Sequence, residues 1–282
     1  MITISELIYD FQRKIPEATI DTKRFMLGLN VSTVFMGDAW VQSRLIDKNS
    51  KEKYFPYLVE GKDNIAKFYD RVTTLGECLY NLQRVDGFVN VLNKLRTAKL
   101  LEPFIAELEV GKFLFRHGIN LRFIHESGKI GSDYDIHVTT DSKHEFACEI
   151  TCKLETATLE KNTILNALHK KAKQAKDIQK IIIIKIPEKW LSNTSLKAAV
   201  ERSLVEIFRN KKSIGGIIFI WEQWLNNHTA RAFMYQPHIN EQCRYDIGGI
   251  KETVTKLNVK NIIRWVKFED EIKSVLETTV RL

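Results

Sequence analysis

The sequence predicts an α/β protein, a mixed β-sheet flanked by helices and preceded by a mainly helical N-terminal region. Two observations carry this. Up to about Leu101 the apolar residues recur at helical spacing. From Pro103 onward, helical stretches alternate with β-branched runs in the order helix, three strands, helix, strand, helix, strand. At 282 residues the chain has room for one large domain or two modest ones. The expected boundary follows the change of rhythm. Residues 1–100 form a helical region for target recognition or oligomerisation, and residues 101–282 form the α/β domain.

In the N-terminal region Ile65, Phe68, Tyr69, Val72, Leu75, Leu79, Leu82 and Val85 lie three and four apart, the stripe of a core-facing helix. "RFMLGLNVSTVFMGDAW" is the most apolar early stretch, and Gly37 with Asp38 ends it short of membrane-spanning length. "PFIAELEVGKFLFRHG" reads as a helix with Pro103 at its start and Gly118 at its stop. "NLRFIHES" alternates as a first strand, and "SDYDIHVTT" and "HEFACEITCK" follow as a second and third, joined across "DSK". "TLEKNTILNALHKKAKQAKDI" is a basic amphipathic helix whose apolar stripe is Ile164, Leu165, Leu168, Ala172 and Ala175. "KIIIIKIP" is a strand buried on both faces, "SLKAAVERSLVEIFRN" a further helix, "IGGIIFIWEQW" a further buried strand, and "RAFMYQP" a candidate for one more.

Composition narrows the class. The net charge is +8, which favours an anionic partner such as nucleic acid, although a solvated basic surface would read the same. The four cysteines include no Cys-x-x-Cys pair, and no histidines sit at zinc spacing. Cys148 and Cys152 share a strand face with Ile150 and read as small core residues in a reduced, cytoplasmic setting. "MITISELIYDFQRK" lacks the basic start and apolar run of a secretory signal. No membrane association is expected. "SIGGIIF" is not a phosphate loop, and none of the seven histidines stands with a nucleophile in a recognisable turn.

The chemistry concentrates in Gly131–Lys153. Strand alternation puts Tyr134, Ile136 and Val138 on one face of the second strand and Asp133, Asp135, His137 and Thr139 on the other. In the third strand Phe146, Cys148, Ile150 and Cys152 oppose Ala147, Glu149, Thr151 and Lys153. With the apolar faces aligned, Asp133, Asp135, Glu149, Thr151 and Lys153 project from one side. Clustered carboxylates repel one another and have raised pKa values unless a cation joins them. A hard divalent ion, Mg²⁺ or Mn²⁺, is the economical partner. A wet edge hairpin is the alternative, but Ala147 and Cys148 beside Glu149 argue for burial, where an unpartnered carboxylate is expensive.

A helix acid, then "DYD", then "CEITCK", then a basic helix and a buried strand resembles the PD-(D/E)XK nuclease superfamily, which includes many restriction endonucleases. The resemblance spans about Pro103 to Trp224 and implies a restriction endonuclease-like fold. It implies a Mg²⁺-dependent endonuclease in which Asp135 and Glu149, with the Ile150 carbonyl and Asp133, hold the metal. Glu107 is the implied helix acid, with Glu109 as its substitute, and Gly111 lets that helix approach the sheet. Thr151 stands where the motif lysine belongs, so Lys153 is the implied catalytic lysine, with Lys170 or Lys171 as replacements. Tyr134 takes the place of the motif proline. Lys161, Lys170, Lys171, Lys173 and Lys176 would contact flanking phosphates, and Gln174 would assist, although Ile178 stands where its usual tyrosine partner belongs. The resemblance alone favours DNA over RNA as substrate, allows a restriction or defence role, and suggests a homodimer, since cutting both strands needs two sites. The alternative is an inactive nuclease-fold module that holds nucleic acid or a partner protein.

Overall fold

The computed structural model describes residues 4–47, 54–55, 62–125, 133–174, 178–225, 230–259 and 265–280. Ala175 and Lys176, singled out in the sequence, lie outside them. The chain divides into two compact units. One comprises residues 1–83, 224–231 and 264–282, and the other residues 84–223 and 232–263. No helix among the described residues is long and apolar enough to cross a membrane.

The first unit is helical in its described N-terminal part: α1 (Ile4–Lys14), α2 (Ile20–Met36), a short α3 (Asp38–Val41) running into a π turn (Gln42–Ile46), and α4 (Lys62–Leu82). Thr19 caps α2 by accepting from the Thr22 backbone N–H at 3.2 Å, and Gly37, at φ +91°, ends it. α2 and α4 pack closely because glycines face each other: a Cβ on Gly76 would lie 2.6 Å from the Gly28 Cα. The sequence stripe is buried at Phe68, Val72, Leu75, Leu79 and Leu82, whereas Ile65, in the first turn of α4, is 41% exposed. Tyr69 stacks on Phe25 with ring centroids 4.1 Å apart.

The second unit contains α5 (Phe88–Thr97), α6 (Glu102–Arg116), α7 (Thr163–Ala172), α8 (Leu196–Asn210) and α9 (Gly248–Leu257). A six-stranded mixed sheet runs β1 (Asn120–Phe123), β2 (Ile136–Thr139), β3 (Glu145–Cys152), β4 (Lys180–Lys185), β5 (Ile214–Leu225) and β6 (Ala230–Ile239), in that spatial order. The β1–β2 and β2–β3 pairs are antiparallel, and β3–β4 and β4–β5 are parallel. The α10 helix (Phe268–Val280) packs with α1 and α2 in the first unit.

Sequence and structure agree at the helix ends of this unit. Pro103 sits at the start of α6, and Gly118, at φ +67°, follows its end. α7 keeps Ile164, Leu168 and Ala172 buried, as its stripe requires. β4 is buried along its whole length, and each of its four isoleucines contributes roughly 1.5–3 kcal/mol of apolar burial.

Register assigns the faces. Glu149 pairs with Ile182 and Thr151 with Ile184, and Ile182 and Ile184 pack beneath α7 and α8 with Trp190, Leu204 and Ile207. The other face carries Cys148, Ile150 and Cys152 beside Ile181, Ile183 and Lys185, and α6 covers it. There Lys185 Nζ contacts Glu109 Oε2 at 2.5 Å and Glu222 Oε1 at 2.7 Å in a fully buried cluster.

Gly87 starts α5 at φ +75°, where a Cβ would fall 1.8 Å from the Phe123 carbonyl oxygen. A Gly87→Ala substitution combines a disfavoured backbone conformation with that collision. It should cost about 2 kcal/mol or more of stability, read as a lower urea midpoint at unchanged slope.

Candidate active site

The strand ends explain why acidic residues meet here. Regular β2 begins only at Ile136, and just before it the second strand parts from β3. The Asp135 side chain fills the gap: its Oδ2 accepts from the Ile150 backbone N–H at 2.6 Å, standing in for a strand partner. Because Ile136 pairs with Cys148, Asp135 falls opposite Glu149. N–H and C=O of one residue point the same way in a strand, so the Ile150 carbonyl also faces the opening beside Asp135.

Lys171, near the end of α7, reaches down to this point. Its Nζ lies 2.9 Å from Asp135 Oδ2 and 3.2 Å from Glu149 Oε2. Burial works to lower the Lys171 pKa, but the two carboxylates outweigh it and hold the ammonium above its usual range. Glu149 is completely buried. Its desolvation outweighs Lys171 and pushes its pKa up to about 7, with Asp135 adding to the rise. Its second oxygen, Oε1, is buried without a hydrogen-bond partner.

Glu107 enters from the opposite layer, on the buried side of α6. Lys94 of α5 lies 3.3 Å from it. Burial, then the nearby Asp135 charge, raises the Glu107 pKa to about 7 against the pull of Lys94 and Lys171. Asp135 and Glu149 thus share Lys171, while Glu107 pairs with Lys94 and feels the Asp135 charge from the other layer.

The remaining sequence candidates fall in different places. Asp133 is half-buried ahead of β2. Lys153 is half-buried past the end of β3 and, among the described residues, forms no ion pair. Burial lowers its pKa, and Lys170 lowers it further. The lysine that touches the acids is therefore Lys171, the penultimate residue of α7, whose ammonium is engaged with Asp135 and Glu149. Lys161, Lys170 and Lys173 are exposed. Gln174 is half-buried with its side-chain Oε1 unpartnered. Glu109 belongs to the Lys185 cluster rather than to the Asp135 locus.

Sequence reasoning passed over two residues. Lys94 neutralises Glu107 from a neighbouring helix, and no local spacing announces that. Lys180 is fully buried, and its Nζ donates to the Ala172 carbonyl at 3.4 Å and to the Gln174 carbonyl. It thereby caps the helix that carries Lys171. Burial draws its pKa down to about 8. The signal was visible as two lysines bracketing the apolar run of "KIIIIK".

A divalent cation can be tested against these groups. Among the described residues no three His, Cys, Asp or Glu side chains stand ready as a metal shell, and the Lys171 ammonium lies between two of the acids. Against that, the orphaned buried Glu149 Oε1, the raised Glu107 and Glu149 pKa values and the adjacent Ile150 carbonyl form an oxygen set suited to a hard cation. Comparison with protein-family models, curated proteins and solved structures finds no match to the chain.

The sign of the pH effect follows from the raised carboxylates. A folded pKa near 7 against 4.5 unfolded means that protonated Glu149 favours the fold. That contribution is complete below about pH 4.5 and is lost as pH rises through about 7, with a ceiling of about 3 kcal/mol. In urea titrations across this range, native stability should fall relative to Glu149→Gln, which carries no charge. Parallel pH profiles for the two proteins would contradict the raised pKa.

Proposed function

We propose that the protein is a metal-dependent nuclease with a restriction endonuclease-like fold, hydrolysing phosphodiester bonds in DNA. The observation that carries this is Lys171 bridging Asp135 and Glu149 where β2 parts from β3, with Glu107 within electrostatic influence of Asp135. Mixed sheet order and acids on paired strands fit that fold class, and the net charge of +8 fits a polyanionic substrate.

Asp135 and Glu149, with the Ile150 carbonyl, would hold Mg²⁺ or Mn²⁺. When bound, such an ion supplies charge neutralisation at the scissile phosphate and a lowered pKa for the attacking water. Glu107, titrating near neutrality, is matched to accept the proton which that water gives up. Lys171 supplies positive charge beside the acids, where the phosphate oxyanion develops negative charge. Lys153, half-buried one strand-end away, supports rather than replaces it. The exposed Lys161, Lys170 and Lys173 offer salt-sensitive contacts to flanking phosphates. Cytoplasmic residence and a homodimer that places two sites on a duplex complete the reading.

One observation favours a second reading, an inactive nuclease-fold module that only binds nucleic acid. Lys171 already satisfies one oxygen of each strand acid, the arrangement expected where an ammonium has taken over the role of a metal.

A single set of assays separates the two. Plasmid, linear DNA and RNA are incubated with Mg²⁺, Mn²⁺ or EDTA, and thermal unfolding is followed in the same buffers. For the nuclease, cleavage requires the metal, Mn²⁺ raises the melting temperature, and Asp135→Asn, Glu149→Gln and Lys171→Met each lose at least about 10²-fold in rate. Lys153→Ala should lose much less. DNA retention without cleavage, and without thermal stabilisation by metal, identifies the inactive module. A chain that neither binds nor cuts nucleic acid overturns both.

A further inference from the structure

Lys171 stands where a divalent cation held by the two strand acids would stand. Its Nζ touches Asp135 Oδ2 at 2.9 Å and Glu149 Oε2 at 3.2 Å. Those two oxygens therefore already face one point, and Mg²⁺ would draw each of them to about 2.0–2.1 Å. A metal and an ammonium cannot share that point, because like charges a few ångströms apart in a poorly solvated site repel strongly. Two ionised carboxylates facing one ammonium keep a net negative charge, and a divalent ion would balance it.

The surroundings allow an exchange. Glu149 is fully buried, whereas the side chains of Lys171 and Asp135 are each 15% exposed, so these two are the solvent-facing members of the trio. Among the described residues no second ion pair holds either acid. The Lys171 ammonium hangs on a flexible four-carbon stem. The backbone beneath it is tied down, since the buried Lys180 donates to the Ala172 carbonyl at the end of α7. Release from the acids therefore takes rotation of the stem and no movement of the helix. Lys170 and Lys173 on either side are exposed, which places solvent beside this end of α7.

We infer that Lys171 gates the metal site: its ammonium and the divalent cation are alternative partners of Asp135 and Glu149, and binding one expels the other. Resting on the nuclease reading, in which those acids hold the ion, this gives Lys171 two successive places. It lies between the acids before the metal binds, and outside them, still tethered to α7, afterwards. The displaced ammonium is then free to meet the anionic phosphate of a substrate.

Mn²⁺ binding to the full chain is measured by electron paramagnetic resonance of the free ion, without nucleic acid, for the wild type, Lys171→Met and Lys171→Arg. Lys171→Met should bind Mn²⁺ about tenfold or more tighter than the wild type, a coupling of ordinary size, while cutting more slowly. Lys171→Arg keeps the competing charge and should show no such gain. Adding Asp135→Asn to Lys171→Met should remove the gain, which localises it to these acids. A second measurement needs no variant and decides alone if Lys171→Met fails to fold. Acetylation of the wild type with an amine-selective reagent, read by peptide mass, should rise at Lys171 when Mn²⁺ is added, with the exposed Lys161 as the unchanged reference. Equal Mn²⁺ affinity in the wild type and a folded Lys171→Met, or Lys171 acetylation unmoved by an ion that binds, overturns the gate and leaves the metal site standing. No Mn²⁺ binding by any of the proteins overturns the nuclease reading and the gate with it.

Discussion

A carboxylate in the middle of a covered central strand is the constraint on which the second unit turns. Glu149 has β2 and β4 as neighbours and a helix layer above, so its charge cannot be left to water. Stripping a carboxylate of solvent costs several kcal/mol even after relaxation, far more than an ordinary surface ion pair returns. Lys171 meets part of that cost. Its reach then fixes where the end of α7 must lie over the sheet, and Lys180 secures that end by binding the carbonyls beyond it. The compensation is incomplete, since one Glu149 oxygen stays unpartnered. A protein selected only for stability could replace such an ion pair with apolar side chains at little cost.

Asp135 shows how a sheet opens without losing its hydrogen bonding. Where β2 stops, its carboxylate takes the Ile150 N–H that a strand would otherwise have engaged. The opening admits Lys171 from α7, while Glu107 of α6 is answered by Lys94 and feels the Asp135 charge. β4 ties down both layers through the lysines at its ends. Lys180 reaches to α7 on one face and Lys185 to Glu109 of α6 on the other. Five residues apart on a strand, the two necessarily point to opposite sides.

The elements of the α/β unit were legible because their signals are local. Pro103 and Gly118 bound a helix by their own backbone geometry, four consecutive isoleucines require a strand covered on both sides, and alternation alone puts Asp135 and Glu149 on one face. The lysine was not legible in the same way. Strand spacing offers Lys153, which shares that face, yet an ion pair depends on where a flexible stem can place its ammonium. The helix crossing the sheet brings Lys171 closer. Ile65 fits the helical stripe by spacing and is nonetheless exposed, because periodicity gives the direction of a side chain and says nothing of whether another element arrives to cover that turn.

The sequence by itself determined the order of helices and strands, the buried character of β4 and the shared face of the two strand acids, since each follows from neighbours within a few residues. Tertiary structure alone decided that Lys171 sits between those acids, that Lys94 answers Glu107, and that Lys180 and Lys185 anchor opposite helix layers. Those outcomes depend on distances between segments far apart in the chain, and such distances are set by how whole elements pack.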